Sequence, residues 1–124
     1  MIMWARGISA VIGVFMLFSA VNWLIDPEQA AAGLSMTLLE GEGGNTQIGD
    51  FTSFFFTAGL MAVIGAYRNE HVWLYTTISL LGSAAVLESL QVYFMEQIFD
   101  FSNSFEIVSS VLLLISANKM KLEN

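Results

Sequence analysis

Glu88 is the one acidic residue set deep inside an apolar run of this 124-residue chain. A carboxylate at bilayer depth is costly to ionise, so it must face the protein interior with a partner or stay protonated. Gln91 follows it on the same helical face, with Ala84 and Ala85 one turn back, so this face should point at other helices. Asn22, Asp50 and Glu106 fall at the outer ends of neighbouring runs, close to the depth of Glu88. Such a set of oxygen ligands would suit Ca²⁺, Mg²⁺ or Mn²⁺. The plainer reading has Asp50 and Glu106 capping helices, Asn22 among headgroups, and Glu88 as a neutral acid bonded to Gln91, Ser109, Ser110 or Asn22. We prefer it, because polar contacts between membrane helices often serve packing alone. No metal or other cofactor is expected.

Little else in the chain carries chemistry. With no cysteine, thiol chemistry, thiolate zinc sites and iron–sulfur clusters have no ligands. His71 is the only histidine and reads as a polar end-cap. Glu40-Gly-Glu42-Gly-Gly-Asn45 is acidic, but it lacks the alternating ligand spacing of an EF-hand and the lysine of a phosphate loop. It reads as a flexible turn. No nucleophile, base and orienting group fall together, so an enzyme is not expected.

The elements that position these residues are apolar helices. Hydrophobic residues make up 56% of the chain and charged residues 12%. Apolar runs over 8–25, 51–67, 72–94 and 104–121 predict an all-α, integral membrane bundle of four transmembrane helices in one domain, 1–124. Asp26-Pro27 ends the first run. The outer loop, 26–50, contains a helix-prone, mildly amphipathic stretch from Glu28 to Leu39 that suits the membrane interface, followed by the flexible turn to Gly49. Asp50 or Thr52 is placed to cap the second helix, and Asn103 and Ser104 to cap the fourth. Trp4, Tyr67, Trp73 and Tyr75 mark one membrane border, and Trp23, Phe51 and Tyr93 the other. In the second helix Ala58, Ala62 and Ala66 recur every fourth position, with Gly59 and Gly65 beside them, which favours close helix approach.

Charge sets the orientation. The net charge is −7, and all four basic residues, Arg6, Arg68, Lys119 and Lys121, fall on one side of this topology. Eight of the eleven acidic residues (Asp26, Glu28, Glu40, Glu42, Asp50, Glu96, Asp100 and Glu106) fall on the other. Cytoplasmic loops retain Lys and Arg, so both termini are expected in the cytoplasm. So few basic residues argue against nucleic acid as a partner. Arg6 and the run Ile8–Phe18 have the outline of a signal peptide, but Phe18 stands where cleavage wants a small residue. A retained first helix is expected.

The layout resembles a family of small bacterial four-helix membrane proteins known only as a domain of unknown function. The resemblance covers roughly 8–95 and rests on Asp26-Pro27-Glu28-Gln29-Ala30, Asn45-x4-Asp50-Phe51, Phe56-Thr57-Ala58-Gly59-Leu60 and Leu80-Leu81-Gly82-Ser83-Ala84-Ala85. It implies the fold and the bacterial cytoplasmic membrane, and no activity. Family members tend to carry a basic residue where this chain has Glu88, so a shared polar mechanism does not transfer.

The expected function is that of a small non-enzymatic accessory or assembly subunit of a larger membrane complex. Its expected partners are the lipid bilayer and other membrane subunits or itself. The alternatives are an oligomeric proton- or cation-coupled transporter using Glu88, and a binding module for a lipid, quinone or pigment.

Overall fold

The computed structural model describes the backbone of residues 2–34, 36–95 and 101–123, and the side chains of 3–34, 36–94 and 104–122. It is an all-α bundle of five helices: α1 (Ile2–Ile25), α2 (Pro27–Gly33), α3 (Gly41–Arg68), α4 (Leu74–Met95) and α5 (Phe101–Glu123). A 3₁₀ turn, His71–Trp73, leads into α4. Among the described residues three helical segments are long and apolar enough to cross a membrane: Met3–Ile25, Gly41–Arg68 and His71–Phe94. These are the marks of a multi-pass membrane protein.

The four long helices pack as an antiparallel ring in the order α3, α1, α5, α4, with α1 and α3 sharing the most extensive interface. Their backbones nearly touch at Gly13 and Gly59. A Cβ on Gly13 would lie 2.8 Å from the Gly59 carbonyl oxygen, and one on Gly59 would lie 2.8 Å from that of Gly13. Ser9 Oγ donates to the Ala62 carbonyl at 2.7 Å, and one turn earlier on α3 Thr77 Oγ1 donates to the Ala58 carbonyl at 2.6 Å. Ala58, Ala62, Ala66, Gly59 and Gly65 are all buried. Met16 and Met120 fill the core beside Leu74, Leu81 and Leu113.

Three parts of the chain depart from the sequence reading. The stretch expected as a flexible turn, 40–49, is the first part of α3, which therefore begins at Gly41 and not near Phe51. Its glycines serve a left-handed turn at Gly41 and close approach at Gly43 and Gly44. Gly41 takes φ +64, and a Cβ on Gly44 would collide with the Leu39 carbonyl oxygen. Gln47 fastens the incoming chain: the Leu39 N–H donates to its Oε1 at 2.9 Å, and its Nε2 donates to the Thr37 carbonyl at 3.3 Å. Asp50 consequently lies inside α3, and so does Thr52, so neither caps its start.

The stretch from Glu28 to Leu39 forms the expected helix only over Pro27–Gly33, after which the Met36 N–H bonds back to the Ala31 carbonyl and residues 36–40 have no regular secondary structure. α2 folds back on α1, with Ala30 and Ala31 buried beneath it. The last helix begins at Phe101, before the expected caps Asn103 and Ser104. A first turn leaves its N–H groups unpaired and so tolerates polar residues inside it. Trp23, read as a border aromatic, is 1% exposed and stacks on Phe51 with ring centroids 5.0 Å apart.

The same substitution should have opposite effects at two glycines. Gly13→Ala places its Cβ 2.7–2.9 Å from Val63 and Gly59, much of it backbone, and should destabilise the fold by about 1–3 kcal/mol. Gly82→Ala meets nothing within 4 Å and should be neutral or stabilising by up to about 1 kcal/mol. Thermal unfolding followed by circular dichroism in one detergent compares them. Equal melting temperatures would contradict the close packing of α1 on α3.

Candidate functional site

One end of the bundle is organised around charge. Arg6 reaches from α1 to the C-terminus of α3, where Nε donates to the Ala66 carbonyl at 2.7 Å and an Nη to that of Tyr67 at 3.2 Å. Those carbonyls have no helical partner, and a cation there complements the helix dipole. Asn69, left-handed at φ 54, then turns the chain, and the Glu70 N–H bonds back to the Gly65 carbonyl. The Glu70 carboxylate accepts from Arg68 Nε at 2.5 Å and from Trp73 Nε1 at 2.9 Å. These two donors hold it below the usual carboxylate range, Arg68 contributing most. His71 sits half-buried, edge-on to Tyr75 at 5.5 Å. This end joins helices through side-chain bonds to the C-terminus of α3 and the turn after it.

The five positions singled out for polar chemistry are differently placed. Glu106 is buried in α5, Glu88 half-buried in α4 and Asn22 half-buried in α1. Asp50 and Gln91 are exposed. Among the described residues no group of three or more His, Asp or Glu is arranged to hold a metal ion. Glu96 and Asp100, assigned from the sequence to the acidic side, lie outside the described residues.

A different site appears where α1, α2, α3 and α5 meet. Asp26 ends α1 and caps α2, accepting from the Gln29 N–H at 3.4 Å, while Pro27 takes the first helical position, where its missing N–H costs nothing. The chain therefore doubles back and leaves a wedge under α2. That wedge is a cavity of about 250 Å³. Phe15, Phe55 and Phe105 line it, with Trp23, Ala30 and Leu34, and Phe15 packs on Phe105 at 5.0 Å. Ser19, Asn22 and Gln29 supply its polar groups. Ser19 donates to the Phe15 carbonyl, which leaves its oxygen able to accept. Among the described residues the side-chain amides of Asn22 and Gln29 have no hydrogen-bond partner.

Sequence reasoning singled out Asn22 and overlooked the cavity. The available signal was a pair of amides, Asn22 and Gln29, on either side of the Asp26-Pro27 reversal. No family model matches the chain, and no curated protein or solved structure matches it either.

The Glu70 pairing predicts a pH response. A carboxylate held low contributes fully above its unfolded value of about 4.3, and that contribution is lost as pH falls through the folded value. The Trp73 indole N–H resonance should follow the Glu70 titration with its midpoint below that of an unpaired glutamate, about 4.3. Glu70→Gln should abolish the movement. A midpoint at or above about 4.3 would contradict the pairing.

Proposed function

We propose that this chain crosses the bacterial cytoplasmic membrane four times, with both termini in the cytoplasm. We further propose that it acts without catalysis, as an accessory or assembly subunit of a larger membrane complex. α5 supports the fourth crossing, because it packs along both α1 and α4 and so shares their depth. Its 23 residues span roughly 34 Å, enough for a hydrocarbon core of about 30 Å. The grouping of basic residues supports the orientation. Arg6 lies on the end of α3 that carries Arg68, and Lys121 shares a surface depression with Tyr75 near the start of α4.

The observation carrying the subunit role is an outward groove between α4 and α5. Gly82, Ala85, Ser89 and Ser110 line it with Val86 and Val111, and it encloses about 450 Å³. Gly82 faces open space there. Small residues at helical spacing let another transmembrane helix approach closely, and hydroxyls on both walls can bond across the contact.

Mild solubilisation of native membranes, native-size separation and mass spectrometry test this role. Stoichiometric co-migration with another membrane protein is expected, and Gly82→Leu should abolish it without changing the melting temperature. Migration as a monomer alone would refute it. Orientation is tested separately by cysteine labelling, since the chain has no cysteine of its own. Thr46→Cys should react with an impermeant reagent on intact cells, and Asn118→Cys only after permeabilisation. Both sites are exposed. The reverse pattern would invert the topology.

A further inference from the structure

We infer that the cavity beneath α2 is a binding site for an uncharged, single-ring amphiphile drawn from the membrane, its ring oxygens held by Asn22 and Gln29. Three observations lead there. The first is the chemistry of the walls. Phe15, Phe55 and Phe105 present aromatic surface, which favours a flat ring in offset or edge-on contact. No charged residue is among the lining residues, so a phosphate or ammonium headgroup would enter without a partner and pay its full desolvation.

The second is the hydrogen-bonding capacity at the lip, where Asn22 is half-buried and Gln29 exposed. Asn22 and Gln29 each offer an amide N–H₂ and an amide oxygen without a described partner, and Ser19 retains an acceptor. Carbonyl or hydroxyl oxygens on a ring would satisfy these groups. The third is size and direction. About 250 Å³ falls just short of the ~300–1,000 Å³ of drug-sized sites, so it admits a ring and leaves a tail outside. Phe15 lies two turns before Asn22, roughly 10 Å along the helix. The polar groups thus cluster at the end of α1 and the rings lie deeper. Phe15 is 48% exposed, so the wedge opens sideways and a tail can leave toward lipid.

The inference needs only that the bundle sits in a bilayer, and it is independent of any partner subunit. It is tested on purified full-length protein in nanodiscs carrying Trp4→Phe and Trp73→Phe, which leaves Trp23 in the cavity wall as the only indole. A short-tailed benzoquinone, which quenches indole emission at close range, is the probe. Saturable quenching is expected. Asn22→Leu should weaken it about tenfold, the worth of one well-made hydrogen bond. Gly33→Leu should also weaken it, because position 33 lines the cavity and a Cβ there meets nothing within 4 Å. Unchanged melting temperatures in both variants separate lost binding from lost folding. Quenching that rises linearly without saturation overturns the inference, as does saturable quenching unchanged in both variants. Equal competition by a saturated alcohol with the same tail overturns the assignment of a ring. Co-migration with a partner is read in a different experiment, so either idea can fail while the other stands.

Discussion

The structure depends on the carbonyl oxygens of one helix, α3. Inside a bilayer no hydrophobic force draws one helix to another, so close packing and hydrogen bonds between helices must do it. α3 presents the carbonyls of Ala58, Ala62 and Ala66 at one-turn intervals, and each accepts a bond from another helix, a second bond at Ala58 and Ala62 and the one that replaces the missing helical partner at Ala66. The donors are Thr77 from α4, and Ser9 and Arg6 from α1. A helical side chain covers the turn preceding its own Cα. Ala62 and Ala66 therefore leave the Ala58 and Ala62 carbonyls open to an outside donor. The small residues and the polar donors are two halves of one device.

That device fixes the direction of every other element. Arg6, Ser9 and Gly13 climb one face of α1 and meet Ala66, Ala62 and Gly59 in descending order, so the two helices must run antiparallel. Once α3 is held, the left-handed Asn69 sends α4 back along it, and Leu74 packs against Gly65. Arg6 gains most from its position. It ties α1 to α3 while sitting at a helix C-terminus, where a positive charge is favoured.

Three membrane-length helices were legible in the sequence because length and hydropathy define a membrane helix almost without reference to its neighbours. The alanine stripe was legible for the same reason, since a period of four fixes a face. What stayed hidden depended on contacts distant in sequence. Composition reads 40–49 as flexible because glycine is flexible alone, but the Leu39 backbone needs Gly44 in order to pass close by, and Gln47 then bonds to it. Trp23 and Phe51 each resemble border aromatics until they stack on one another. Of the expected polar cluster, Asp50 and Gln91 are exposed, which depends on how α3 and α4 are rotated against their neighbours and not on their own sequence. Asn22 alone reached the cavity, in the company of Gln29 across the reversal.

The cavity itself follows from how α1 ends. Asp26 and Pro27 stop one helix and start the next at once, so α2 leaves at an angle and a wedge opens between them. Close-packed interiors fill such wedges with side chains. Here the residues that α2 turns inward are Ala30, Ala31 and Gly33, too short to reach Phe55 or Phe105 on the far wall. Backbone geometry does not forbid a longer residue at Gly33, where a Cβ would meet open space. The wedge therefore stays open because of side-chain choice and not because of strain. Its lip carries amides and its base carries rings, so its polarity falls with depth in the same order as that of the bilayer beside it. A molecule with a polar head and an apolar tail can move from one to the other without turning over.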